Sequence, residues 1–112
     1  MARPERRLND DIDRLFHALG DPTRRRMVEL LGERPQSVSA LAERFKITLT
    51  AVSQHLRLLE EAGLVRSQKL GRTRSCQIEP AALTRLQTWL SDRRSVWEKR
   101  LDDLAEILDG ES

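Results

Sequence analysis

Apolar positions in this chain recur with two different periods. In LNDDIDRLFHALGDP, Leu8, Ile12, Leu15, Phe16 and Leu19 fall at helical spacing. Asn9 reads as the N-cap, with acids in the first turn, and Gly20 as the stop. DPTRRRMVELLGERP repeats that punctuation. Asp21 caps, Pro22 takes the first helical position and Gly32 closes the helix, with Met27, Val28, Leu30 and Leu31 on the buried side. SVSALAERFKI predicts a short third helix from near Ser39, with Leu41, Ala42 and Phe45 inward. Thr48 caps a fourth helix over residues 49–62, whose Val52, Leu56 and Leu59 are spaced i, i+4, i+7, and Gly63 follows its last turn. The third and fourth helices, joined by a tight turn at Lys46 and Ile47, form a helix-turn-helix pattern over about 39–62.

After Gly63 the period shortens. LVRSQKL and TRSCQI read as strands around the two-residue loop Gly71-Arg72, with glycine first as a type II′ hairpin requires. The implied register pairs Leu70 with Thr73, Lys69 with Arg74, Ser67 with Cys76 and Val65 with Ile78. Like charges directly opposite cost stability, so the pair Lys69 and Arg74 makes sense if the tip reaches towards an anion. The alternative is an exposed hairpin with two solvated bases. From Pro80 to about residue 109, Leu83, Leu86, Trp89, Leu90, Val96, Trp97, Leu101, Leu104 and Leu108 mark an apolar helical stripe. The polar run 91–95 interrupts it, which predicts one kinked helix or two, with Asp92 as a new cap. Residues 1–112 thus read as a single domain, mostly α with a small hairpin at 64–78: a winged helix-turn-helix. Both tryptophans lie on the tail, and so compact a body has little to cover them. A second copy of the chain is the natural cover, through the N- and C-terminal helices, at Leu8, Ile12, Leu15, Leu86, Trp89, Leu90, Trp97, Leu101 and Leu104. Folding of the tail onto its own first helix is the competing account.

Charge adds a direction to this frame. Net charge is only +2, yet the segment from Arg44 to Arg74 carries +5 and the segment from Ala81 onward −2. A basic middle suggests a face for a polyanion, against the plain reading of a solvated surface. At about 100° per residue, Val52, Leu56 and Leu59 of the fourth helix face inward, while Thr50, Gln54, Arg57 and Glu61 point outward and Ser53 and His55 lie on the flanks. A helix fits the DNA major groove, where glutamine can bind adenine bidentately, hydroxyls reach bases or phosphates, and arginine reaches guanine or phosphate. Lys69, Arg72 and Arg74 of the wing suit backbone or minor-groove contact. The proposed DNA-contacting set is Thr48, Thr50, Ser53, Gln54, His55, Arg57, Lys69, Arg72 and Arg74. His55 has two readings, a phosphate contact or a hydrogen bond that holds the helix start within the protein.

Composition narrows the class. The chain is 38% hydrophobic and 34% charged, as globular chains are. No apolar run approaches a membrane span, the basic N-terminus lacks an apolar core for a secretory signal, and a single cysteine, Cys76, cannot pair internally. These features point to a cytoplasmic protein without membrane contact. No paired carboxylates, no nucleophile with its base and no phosphate-binding glycine loop argue for an enzyme.

LFHALGDPTRRRMVELL, SVSALAERFKITLTAVSQHLRLLEEAGLV and KLGRTRSCQI together resemble the ArsR/SmtB family of dimeric winged-helix repressors, from about Leu15 to Ile78. The resemblance implies a homodimer that binds double-stranded DNA at a palindromic operator, often regulating its own promoter. It implies DNA contacts at Thr48, Thr50, Ser53, Gln54, His55 and Arg72. The family's metal sensors carry a Cys-x-Cys motif on the third helix, where this chain has SVSALAE; others use Asp and His on the last helix, which here has no histidine. Metal sites of that kind need thiolate or imidazole clusters, so neither a metal nor a cofactor is expected. Cys76 is a lone thiol, a weak redox candidate that more naturally serves as a small hydrophobe. No motif specifies a small-molecule effector. The runner-up function is a winged helix that binds another protein.

Overall fold

A computed structural model describes residues 4–110, with side chains from Asp10 onward. The order is α1 (Pro4–Leu19), α2 (Pro22–Glu33), β1 (Gln36–Ser37), α3 (Val38–Phe45), α4 (Leu49–Glu61), β2 (Val65–Leu70), β3 (Thr73–Ile78) and α5 (Pro80–Gly110). The three strands form one antiparallel sheet in the order β1-β3-β2. The expected hairpin register is observed in full, from Val65 opposite Ile78 to Leu70 opposite Thr73. The core gathers one apolar face from each helix: Leu15, Met27, Leu41, Val52, Leu59 and Leu64 are fully buried, with Cys76 from the sheet. This is a winged helix-turn-helix.

Four element boundaries depart from the expectation. Helix α1 begins at Pro4, so Asn9 lies inside it and does not cap it; proline at a first turn costs the helix nothing. Gly32 lies within α2, and the chain leaves the helix at Arg34, which is fully extended. Arg34 precedes Pro35, and the proline ring disfavours helical backbone at the residue before it. Helix α3 starts at Val38, a residue before Ser39, and Ser37 caps it, accepting from Ala40 N–H at 3.0 Å. Strand β1 was not expected; two residues are too few to show a period, and they pair only because β3 lies alongside.

A further departure, in α5, matters most. Helix α5 runs unbroken for 31 residues, roughly 46 Å at 1.5 Å per residue. The polar run does not break it. Ser95 Oγ donates to Ser91 O at 3.1 Å and Arg94 pairs with Glu98 at 2.7 Å, both one turn away. No proline or glycine interrupts residues 81–109.

The tail partly folds back, as the competing account held. Phe16 of α1 meets Trp89 edge-on, ring centroids 5.1 Å apart. Beyond Trp89 the helix is bare: Leu90, Trp97, Leu101, Leu104, Ile107 and Leu108 are all more than half exposed. Of the expected interface residues, Leu15 is fully buried within the protomer's own core and Ile12 nearly so. Helical periodicity marks a buried face without saying what buries it. The side chain of Leu8 falls outside the described residues.

Candidate nucleic-acid interface

The exposed face of α4 is built by the turn that precedes it. Lys46 adopts a left-handed conformation (φ 56°), and the Ile47 N–H donates to Ala42 O at 3.2 Å, closing α3. Thr48 then caps α4, its Oγ1 accepting from Ala51 N–H at 3.0 Å. With Val52, Leu56 and Leu59 buried, Thr50, Ser53, Gln54, Arg57 and Glu61 are exposed together on the opposite face. Leu49 opens the helix and is 56% exposed. Its place three residues before Val52 suggests a core position, and periodicity gave no sign that it would stand out beside Thr48. The hydroxyl oxygen of Thr48 accepts in the cap, which leaves its O–H hydrogen to donate outward. Arg57 lies 3.8 Å from Glu61 on the same face.

The other end of α4 sets the wing. Gly63 (φ 77°) turns the chain, with Leu64 N–H donating to Leu59 O and Gly63 N–H to Glu60 O, both at 2.9 Å. This glycine-terminated closure satisfies carbonyls the helix would otherwise leave bare. At the hairpin tip Gly71 has positive φ and Arg72 does not, as a type II′ turn requires. Lys69 and Arg72 are exposed, and neither makes a hydrogen bond or ion pair among the described residues. Arg74 differs. Its Nε donates to Ser67 Oγ at 2.9 Å, Ser67 donates on to Glu60 at 2.5 Å, and Arg74 also lies 3.7 Å from Glu60. That network ties the wing to the end of α4. The structure therefore places Lys69 and Arg72 as unpaired cations at the tip and pairs the still exposed Arg74 with Ser67 and Glu60.

His55 is held from behind. Its Nδ1 lies 3.5 Å from Arg24 Nη1 and 4.0 Å from Asp21 Oδ2, and the side chain is 24% exposed. Asp21 caps α2, accepting from Arg24 N–H at 3.0 Å. That hydrogen bond, with the nearby charge of Arg24, holds the Asp21 carboxyl below its ordinary value of 3.8, against an opposing effect of burial. Sequence reasoning did not single out Arg24. Three consecutive arginines look alike in sequence, and nothing in helical spacing says that one of them is buried.

A helix-turn-helix domain family matches residues 19–68. The HTH-type transcriptional regulator Rv2034 of Mycobacterium tuberculosis is 38% identical over 99 residues, covering 88% of this chain and 90% of that protein. The crystal structure of an ArsR family transcriptional regulator, RHA00566, superposes with a TM-score of 0.75 at 36% identity, over 88% of this chain and 97% of that one. The chain belongs to the ArsR/SmtB family. The transcriptional repressor SdpR of Bacillus subtilis is a shorter match, 31% identical over 54% of this chain and 68% of its own. This ArsR/SmtB member is accordingly a DNA-binding transcriptional regulator, and its family is one of regulators and not of enzymes.

Among its described residues, no three His, Cys, Asp or Glu side chains are placed to share a metal ion. Cys76 is fully buried on β3. Burial, with Glu60 adding to it and Arg74 opposing, raises its pKa above the ordinary 9.0, so the group stays a thiol at neutral pH. The thiolate is the reactive form, and this site suppresses it. No described helix is long and apolar enough to cross a membrane.

Proposed function

We propose that this ArsR/SmtB regulator is a sequence-specific repressor that binds an inverted-repeat operator as a homodimer, includes its own promoter among its targets and needs no metal. The observation that carries this reading is the pairing of an exposed polar face on α4 with two unpaired cations, Lys69 and Arg72, at the wing tip. Thr50, Ser53 and Gln54 would meet base edges, and Leu49 a thymine methyl. Thr48, Lys69 and Arg72 would meet the backbone. Arg57 would serve a guanine or a phosphate once released from Glu61, and Arg74 would act mainly by bracing the wing. The bare stripe on α5, with Phe16 of α1, is where the second copy would pack. In such a dimer the two α4 helices lie about one DNA turn apart, roughly 34 Å. The third helix reads SVSALAE where the family's metal sensors carry Cys-x-Cys, which supports metal independence.

The test is binding of the full chain to a duplex spanning its own upstream region, set against random duplex across a salt series. The expectation is preferred binding and a protected inverted repeat, with affinity falling steeply as salt rises through counterion release. Gln54→Ala should cost about 1–3 kcal/mol of sequence preference, and Arg72→Ala should weaken all duplexes alike and flatten the salt slope by about one unit. No binding to either duplex at low salt would overturn the reading and favour a protein-interaction module.

A further inference from the structure

Among the described residues Arg24 is the one charged side chain that is buried, 9% exposed. Its guanidinium spans three elements. Nε donates to Ala18 O at 2.8 Å and Nη2 to His17 O at 3.2 Å, two carbonyls in the last turn of α1, of which His17 O also accepts from Gly20 N–H. Nη1 meets His55 Nδ1 on α4 at 3.5 Å. The Asp21 carboxylate beside them offsets the buried charge, 4.0 Å from the same Nδ1. A lysine could not repeat this, because only a guanidinium carries a planar fork of five donors.

The Arg24 contact, at the long limit of a hydrogen bond, favours one state of the ring. A guanidinium has donors and no acceptor, so its hydrogen bond to Nδ1 requires a lone pair there. In the neutral ring the hydrogen then sits on Nε2. His55 Nε2 makes no hydrogen bond within the described protein. No buried side-chain nitrogen or oxygen there lacks a partner, so Nε2 is open to solvent. His55 thus stands on the flank of α4, beside Gln54, with a fixed donor facing outward.

We propose that Arg24 is a positioning residue for DNA binding, which locks His55 as the Nε2–H tautomer so that the ring donates to a backbone phosphate. This inference rests on the DNA-binding reading above and settles between the two accounts of His55 by joining them: the internal contact prepares the external one. A neutral donor adds affinity without neutralising a phosphate charge. Loss of His55 should therefore weaken binding and leave the salt slope unchanged, unlike loss of Arg72.

Two measurements on the full chain test it. The protein has only two histidines, His17 and His55, so ¹⁵N imidazole spectra are simple, and His17→Gln assigns them. The parent should show His55 with a bare Nδ1 and a hydrogen on Nε2, and Arg24→Lys should give a tautomer mixture. Where Arg24→Lys does not fold, Arg24→Gln takes its place, since its amide can accept as well as donate. Anisotropy titrations with a random-sequence duplex form the second measurement. His55→Ala should lose about tenfold in affinity, the scale of one hydrogen bond to a charged group, with the salt slope of the parent. Arg24→Lys should lose nearly as much, and the double variant no more than His55→Ala alone. A parent ring with its hydrogen on Nδ1, a tautomer unmoved by the Arg24 variants, or additive losses would overturn the proposal while leaving DNA binding intact. A parent that binds no duplex at low salt overturns both.

Discussion

Asp21 shows how much one residue carries here. Its carboxylate caps α2 and lies beside both Arg24 and His55. Its pKa is lowered in the folded state, so the stability it contributes is present above the unfolded value of 3.8 and is lost as pH falls through the folded value. Asparagine caps a helix about as well as aspartate, so Asp21→Asn removes the charge and keeps the cap. The variant should be less stable at pH 7 by about 0.5–1 kcal/mol, the scale of a charge at a helix N-terminus. Thermal melts should show that gap closing below about pH 3.8. A gap of equal size at pH 7 and pH 3 would remove the electrostatic account. The cap itself was legible in sequence, because Asp-Pro at a helix start is a local signal. The partners of Asp21 across space were not.

The two helices of the helix-turn-helix end in the same way, each with one left-handed residue. For α4 that residue is Gly63; for α3 it is Lys46, which has a side chain to accommodate. A Cβ at Gly63 would meet Arg85 Nη2 at 3.1 Å, a flexible neighbour, so the cost lies in the backbone. Gly63→Ala should destabilise the protein by about 1–2 kcal/mol, the penalty for a left-handed L-residue. It should also weaken DNA binding beyond what stability explains, because Gly63 sets the angle between α4 and the wing. Denaturant melts with parallel anisotropy titrations check both, and a variant as stable as the parent would sink the backbone argument. Thr48, Gly63 and the Gly71-Arg72 loop could all be placed from sequence, since caps and turns are chosen locally. Strand β1 and the unbroken course of α5 could not, since the first depends on a neighbour and the second on hydrogen bonds one turn away.

At the scale of the molecule the unmet need is cover for α5. Among the described residues, seven large apolar side chains beyond Trp89 face solvent in a single protomer, and Trp97 is 62% exposed. Arg93 and Arg100 lie over the two tryptophan rings, 4.5 and 5.7 Å from the centroids, and shield them only in part. In the proposed dimer these residues are buried. Leu101→Glu with Leu104→Glu should then yield a folded monomer by sedimentation, with operator affinity reduced at least about a hundredfold because two half-sites no longer bind as one unit. A variant that stays dimeric would place the interface elsewhere.

Short-range chemistry lies open in this sequence. Helix and strand periods, the caps Asp21 and Thr48, the turn glycines Gly63 and Gly71, the hairpin register and the outward face of α4 follow from residues within a few positions of one another, and each appears in the fold. The family resemblance, carried by motifs of the same local kind, was legible for that reason too. What the tertiary structure alone decided is which groups meet across distance. It buried Arg24 among three like neighbours, brought it to His55, turned Arg74 towards Glu60 and left Lys69 and Arg72 unpaired. It also spent Ile12 and Leu15 on the protomer's own core and left the far half of α5 bare. A sequence pattern records that a side chain is apolar or charged and on which face it lies. Only packing in three dimensions determines what stands opposite.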